Sequence, residues 1–190
     1  MTGTWTLRSE RRTGDLAWLL AAHAGLAREY GFDASFEAYV AQPMSTCLLA
    51  HSPHEQIWIA EREGRSVGSI AIVQADFVSD HAIKVQKFTG QPIPVAVPVK
   101  LETAQLRWFL VQPEARGEGL GKLLLQQAID FSRVAGYHRI ILWTVSQLEA
   151  AAHLYRATGF KKVQEIPARR WGVDVIEEQY ALWLVSGKQE

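Results

Sequence analysis

The feature that most constrains this chain is the run Arg116-Gly117-Glu118-Gly119-Leu120-Gly121-Lys122, set between an alternating apolar stretch ending at Val111 and a stretch of helical periodicity over 117–135. Three alternate glycines at a strand-to-helix turn leave backbone N–H groups uncovered, and the helix N-terminus adds partial positive charge. A pyrophosphate fits such a turn without a metal, and Arg116 and Lys122 bring formal positive charge beside it. The spacing G-x-G-x-G is not the G-x-G-x-x-G of dinucleotide turns, and the G-K-[ST] ending of a nucleoside-triphosphate loop is missing. A helix that merely packs close to a strand would use the same glycines, so the turn alone leaves both readings open.

The segments around it set the fold class. Ala104–Val111 reads as a strand stopped by Gln112-Pro113, and the helix over 117–135 repeats apolar residues at Leu120, Leu123, Leu124, Ala128 and Phe131. Arg139–Val145 is nearly all apolar, which predicts a strand buried on both faces. A strand–helix–strand crossover of this kind pairs its strands in parallel and is right-handed. Leu148–Thr158 is a further helix with Gly159 as its stop, and 161–166 and 178–184 are closing strands. Upstream, 5–8 is a short strand, and Leu16 to Tyr30 has helical spacing, with Thr13-Gly14-Asp15 to cap it and Gly31 to end it. A second helix follows Asp33, and Pro43 is expected to break or restart it. The segments 56–61 and 67–75 form a hairpin about Glu63-Gly64-Arg65. Residues 77–101 contain Gln91-Pro92-Ile93-Pro94-Val95-Ala96-Val97-Pro98, which cannot be a helix or central strand; they are expected to be a loop insertion and a candidate lid. The fold class is mixed α/β, in one domain spanning 1–190.

Composition excludes several function classes. Lys plus Arg and Asp plus Glu number 20 each, so no net charge points to nucleic acid or an anionic membrane as partner. A single cysteine, Cys47, rules out an internal disulfide and suits a reducing cytosol; no signal-peptide core and no apolar run of about 18 residues is present. A cytoplasmic protein is expected. His51 and His54 lack a cysteine or carboxylate at metal-ligand spacing, so no metal site is expected. His23 reads as a satisfied buried side chain and Cys47 as core.

Taken together, Arg116-Gly117-Glu118-Gly119-Leu120-Gly121 after a strand, and Ala151-x-x-x-Tyr155-x-x-x-Gly159-Phe160 at the end of the next helix, resemble the two signatures of the GNAT N-acetyltransferase superfamily, at that family's separation. The resemblance covers most of the chain. It is similar in particular to the acetyltransferase modules that some bacteria fuse to MarR-type regulators, through Arg28-Glu29-Tyr30-Gly31-Phe32, Leu142-Trp143-Thr144 and Trp171-Gly172-Val173-Asp174. With no winged-helix segment ahead of the module, a stand-alone form is expected.

The resemblance implies a central mixed sheet of about seven strands with flanking helices, in which the strands matching 104–111 and 139–145 splay apart. It implies acetyl-CoA as co-substrate without a metal: pantetheine along the backbone of Phe109, Leu110 and Val111, and the pyrophosphate on the turn Arg116, Gly117, Glu118, Gly119, Leu120, Gly121 and Lys122, with Ser146 as a further polar contact. An amine attacks the thioester directly, a backbone N–H near Leu110 steadies the oxyanion, and Tyr155 stands where the family keeps its general acid. Tyr155 also shares a helical face with Leu148, Ala151 and Ala152, which is what a core residue would do. The family's frequent Glu on the first strand falls on Gln105, which cannot take a proton, so Glu102 is the remaining candidate base, beside a solvated strand-end charge as its plain alternative. Glu29 and Tyr30 at the end of the first helix, and Trp108 and Trp143 on the two splayed strands, are the expected acceptor contacts. Arg169-Arg170-Trp171 is either a substrate contact or a surface turn. The expected partners are acetyl-CoA and a primary amine, with a homodimer as the family's frequent assembly. A non-catalytic acyl-CoA-sensing module, and an interaction protein docking through 77–101, are the rival classes; turnover of an amine separates the first, and CoA affinity the second.

Overall fold

The computed structural model describes residues 4–50, 52–75 and 102–184, so the expected lid over 77–101 lies outside the described residues. Seven strands form one sheet in the order β1-β2-β3-β4-β5-β7-β6: β1 (Thr6–Arg8), β2 (Gln56–Arg62), β3 (Arg65–Gln74), β4 (Thr103–Val111), β5 (Arg139–Val145), β6 (Lys161–Arg170) and β7 (Val173–Trp183). Every neighbouring pair is antiparallel except β4 and β5, the two ends of the crossover. The helices are α1 (Asp15–Tyr30), α2 (Ala34–Ala50), α3 (Leu120–Val134) and α4 (Glu149–Ala157).

The alternation of β3 shows how the layers are built. Ile70 and Ile72 point into a core with Leu120, Leu124 and Ile129 of α3, while Ala71 and Val73 point the other way, into a core with Leu19, Val40 and Met44 of α1 and α2. Helices α3 and α4 therefore cover one face and α1 and α2 the other, and burial of both apolar faces against helices supplies the main stabilisation. The sheet's edges are blunted: β1 is only three residues long, and β6 is mostly exposed and carries Lys161, Lys162 and Pro167.

Several local expectations are corrected. Helix α2 runs unbroken through Pro43, because its apolar stripe Phe36, Val40, Met44 and Cys47 is buried without interruption across the proline. Helix α1 does start within Thr13-Gly14-Asp15, with Gly14 as its N-cap, but no side chain caps it: the Asp15 carboxylate takes two hydrogen bonds from Arg8, at 2.8 and 2.6 Å. Helix α3 begins at Leu120, not Gly117; Gly117 and Gly119, at φ +80° and +87°, form the turn ahead of it. Strand β5 is fully covered on one face only, with Ile140 and Leu142 in the α3 core, while Trp143 on the other face is partly open. The last two strands are longer than 161–166 and 178–184 and close into one hairpin over Trp171-Gly172, both at positive φ.

Candidate active site

Strand β4 holds the site, because its alternation changes parity in mid-strand. Ala104 and Leu106 face the α3 core, but further along it is Phe109 and Val111 that pack there, while Trp108 joins the α1–α2 core. The switch is a β-bulge: Ser69 pairs with Leu110 and Ala71 with Arg107, so that Trp108 and Phe109 together oppose Ile70. Trp108 takes φ +49°, a conformation uncommon for a bulky residue, and the buried Ser69 hydroxyl donates to its carbonyl at 2.7 Å.

The bulge turns β4 away from β5. The parallel ladder has three pairs, Thr103 with Arg139, Ala104 with Ile140 and Gln105 with Ile141, and then stops. Beyond Gln105 the β5-facing edge of β4 has no ladder partner, and a cleft of about 140 Å³ lies in the gap. Phe109 and Tyr155 line it from the α4 side; His23, Gln105, Arg107, Trp108, Trp143 and Glu177 are among its other walls. A strand edge with no neighbouring strand along it is what an extended, amide-bearing chain pairs with.

At the far end of β4 the chain enters the glycine turn. A Cβ placed on Gly117 or Gly119 would meet nothing within 4 Å, so open space lies above both residues. Gly121 differs: a Cβ there would come within 2.9 Å of Leu154, so this glycine lets α3 pack against α4. The Leu120 side chain is core, which leaves only its backbone for a ligand. Lys122 is exposed on the first turn of α3. Glu118 is held by Arg62 at 2.5 Å, which neutralises an acid that would otherwise stand beside the turn. Arg116 is engaged too: it forks onto the Glu29 carboxylate with two bonds of 2.8 Å, and its Nε donates to the Val111 carbonyl at 3.1 Å. Hydrogen bonding from Arg116 holds the Glu29 carboxyl below its usual range. The turn, the uncovered amides and the free β4 edge fit a ligand that carries a pyrophosphate on an amide-bearing arm.

Tyr155, on α4, is buried between the rings of Phe109, Phe160 and Tyr180, at centroid distances of 5.8–5.9 Å, and it lines the cleft. Burial, with Tyr180 adding to it, pushes its phenol well above the ordinary value of 10.0, so it keeps its proton at neutral pH. The residue is thus both core and cleft wall. His23 is buried, and its Nδ1 meets the Leu19 carbonyl at 2.8 Å; burial lowers its pKa, so the ring is neutral. Cys47 is buried, and its thiol is pushed up to about 11.

Other expected residues fall elsewhere. Glu102 is exposed at the start of β4, where β4 and β5 are still paired, and is not among the cleft walls. Ser146 faces the β6–β7 hairpin: its N–H donates to the Ile176 carbonyl at 2.9 Å, and its hydroxyl is not in the cleft. Tyr30 stacks on Phe32 at 6.1 Å and supports the wall without lining it, and Glu29 is committed to Arg116.

A further wall, of which the sequence offered only Trp171 as a substrate contact or surface turn, comes from Phe32, Phe36, Tyr39 and Trp171, whose rings lie 4.9–6.5 Å apart. Trp171 is the tip of the β6–β7 hairpin, and its carbonyl accepts from the Asp33 N–H at 2.9 Å, docking the hairpin on the α1–α2 turn. Only Gly172 signalled that turn: a type I′ turn takes positive φ at both central residues, which glycine adopts freely and a tryptophan rarely does, so Trp171 at φ +49° was not legible as its first residue. Arg169 and Arg170 pair with Asp174 and Glu177. Among the described residues no group of three or more His, Cys, Asp or Glu stands where a metal ion could be held. None of their helices is long and apolar enough to cross a membrane.

A model of the acetyltransferase (GNAT) family matches residues 19–160. N-acetyltransferase family 8 member 3 of Rattus norvegicus is 30% identical over 121 residues, 63% of this chain and 43% of that protein. N-acetylaspartate synthetase of Danio rerio is 28% identical over 132 residues, 70% of this chain and 36% of that protein. The chain thus spans about half the length of these curated relatives, or less. Among solved structures, an N-acetyltransferase of Staphylococcus aureus Mu50 superimposes with TM-score 0.69 at 18% identity, covering 96% of this chain and 99% of the other. An acetyltransferase of Salmonella typhimurium, solved with its cofactor acetyl-CoA, superimposes with TM-score 0.67 at 18% identity over 98% of both chains. At these identities the two structures establish the fold.

Proposed function

Because this chain belongs to the acetyltransferase (GNAT) family, we propose that it is an N-acetyltransferase that moves an acetyl group from acetyl-CoA to a primary amine of a small molecule or peptide, by direct attack within a ternary complex. The observation that carries this reading is the continuity of three features: the free edge of β4 beyond Gln105, the uncovered turn at Gly117 and Gly119, and the protonated Tyr155 between them. The family match and the acetyl-CoA of the Salmonella typhimurium neighbour support the same cofactor.

Acetyl-CoA supplies an activated thioester, and the chain supplies position and charge. Backbone groups of Phe109, Leu110 and Val111 pair with the pantetheine arm, the amides of the Gly117–Gly121 turn hold the pyrophosphate, and Arg116 and Lys122 add charge to it. The amine nitrogen attacks the thioester carbonyl carbon while a backbone N–H at Leu110 steadies the charge on the oxygen. The carbon–sulfur bond breaks, and Tyr155 gives its proton to the departing sulfur, which asks little help because thiols ionise at about 8.5. Glu177, the carboxylate in the cleft wall, is bonded to Arg170 at 3.1 Å, and the wall residue on β4 at the place of the family's base is Gln105. The amine therefore enters the cleft neutral, and the proton it loses after attack returns through water to the Tyr155 oxygen, which restores the acid; Glu102 has no part in this scheme. The likeness to MarR-fused modules, a cytoplasmic setting and a homodimer belong to the same reading, which the lone buried Cys47 supports as to compartment.

The test is release of free CoA thiol from acetyl-CoA with a panel of amino acids, polyamines, aminoglycosides and peptides, with the acetylated product identified by mass. Amine-dependent release with a matching N-acetyl product is expected. Acetyl-CoA binding without product from any amine would favour the sensing module instead.

A further inference from the structure

One buried titratable group in the cleft wall has no part in the scheme above. His23 lies with Leu19 and Ala27 on the buried stripe of α1, is 5% exposed, and lines the cleft. Its Nδ1 meets the Leu19 carbonyl at 2.8 Å, and a carbonyl only accepts, so Nδ1 carries the ring hydrogen. The neutral ring then keeps its lone pair on Nε2, and no described residue donates to that atom. Resting on the acetyltransferase reading, we propose that His23 is a catalytic residue of the transfer: Nε2 accepts a hydrogen bond from the entering amine and takes the amine's proton after attack.

The composition of the walls argues for this role. The charged or titratable groups that share the cleft with His23 are Arg107 of β4, Glu177 of β7, Tyr39 of α2 and Tyr155 of α4. Arg107 is a cation, Glu177 has its two oxygens on Arg170 at 3.1 and 3.4 Å, and both phenols carry their protons at neutral pH. Trp108, whose Nε1 is buried without a partner, is a donor only, and Gln105 takes no proton. The imidazole is thus the neutral base of the described walls. Burial lowers the His23 pKa, so the lone pair stays available through the neutral range. The protons balance. The nitrogen–carbon bond forms, the carbon–sulfur bond breaks, and Tyr155 gives its proton to sulfur. The nitrogen, made acidic by its bond to the carbonyl carbon, gives its proton to Nε2. Burial disfavours the resulting imidazolium, which passes the proton through water to the Tyr155 oxygen, so that both side chains return to their starting states.

The experiment measures the pH dependence of kcat and KM with acetyl-CoA and ethylamine, L-alanine or spermidine, in the wild type, His23→Asn and His23→Gln. Asparagine keeps an N–H donor for the Leu19 carbonyl and removes Nε2; glutamine keeps an acceptor that cannot take a proton. In both, kcat is expected to fall by about a hundredfold, the low end for a general base, while acetyl-CoA affinity by calorimetry holds. The wild-type kcat should fall at acid pH with a midpoint below the ordinary histidine value of 6.5, because the ring is a base only above its lowered pKa, and both variants should lack that limb. Unchanged kcat in both variants, or an acid limb that persists in them, overturns the inference while leaving the transferase intact. If the wild type turns over none of the amines, it is the transferase reading that fails. In that case, or if a variant unfolds, nitrogen NMR of histidine-labelled wild type decides the role of His23. The expected spectrum has an unprotonated Nε2 whose signal moves when ethylamine is added; a hydrogen on Nε2, or a signal that ethylamine leaves in place, overturns it.

Discussion

Arg116 and Glu29 are locked in a two-pronged ion pair, both bonds 2.8 Å long, that joins the glycine turn ahead of α3 to the last turn of α1. An arginine proposed to meet the pyrophosphate is thereby occupied by a carboxylate. The pair is solvent-exposed, so it contributes little to folding, about 0.2–1 kcal/mol.

Releasing that competition defines a first prediction. Glu29→Gln is expected to bind acetyl-CoA about two- to fivefold more tightly, the factor equivalent to an exposed ion pair, with little change in melting temperature. Weaker binding in calorimetry would show that Glu29 aims Arg116 at the phosphate instead.

The open space over the turn defines a second. Gly119→Glu puts bulk and negative charge where the pyrophosphate is proposed to lie, and is expected to abolish acetyl-CoA binding. Gly119→Ala isolates the backbone effect, since φ +87° disfavours any side chain and costs about 1 kcal/mol. It should lose stability but keep measurable binding; a Gly119→Glu variant that binds like the wild type contradicts the placement of the phosphates.

Tyr155 allows a test of chemistry apart from packing. Tyr155→Phe keeps the ring among Phe109, Phe160 and Tyr180, so KM and melting temperature should hold while kcat falls by about ten- to hundredfold, the low end for a general acid because a thiolate leaves readily. Because burial raises its pKa above 10.0, the acid stays protonated through the alkaline range, and the wild-type rate should show no fall up to about pH 10. Unchanged kcat would return Tyr155 to a purely structural role.

Ser69 tests the origin of the cleft. Its hydroxyl satisfies the Trp108 carbonyl inside the bulge, and Ser69→Ala leaves that buried acceptor without its 2.7 Å partner, at a cost of about 1–3 kcal/mol. A drop of several degrees in melting temperature together with weaker acetyl-CoA binding is expected. Loss of stability alone would separate the bulge from the donor's slot.

Much of this was legible in the sequence. The crossover 104–145, the glycine turn and the Tyr155–Phe160 end of α4 follow from periodicity and glycine spacing, because each is set by neighbours within one turn or strand. Relations between distant segments were not legible. Pro43 was read as a break because the cost of a helical proline is local, whereas the burial of Met44 and Cys47 that outweighs it is tertiary. Glu29 was read as an amine contact because nothing in the chain shows that Arg116, so far away in sequence, would claim it. The aromatic wall joins residues 32–39 to Trp171, and Ser146 faces away from the cleft because β7 lies beside β5. Trp108 was seen on the right strand, but the bulge that turns it over is a property of pairing with β3.

The most direct test of the central claim is calorimetric titration of the purified chain with acetyl-CoA, with NAD and ATP as controls. Saturable binding of acetyl-CoA, with neither nucleotide binding and with the signal lost in Gly119→Glu, is the predicted result. Absence of acetyl-CoA binding, or equal binding of all three, would contradict the account.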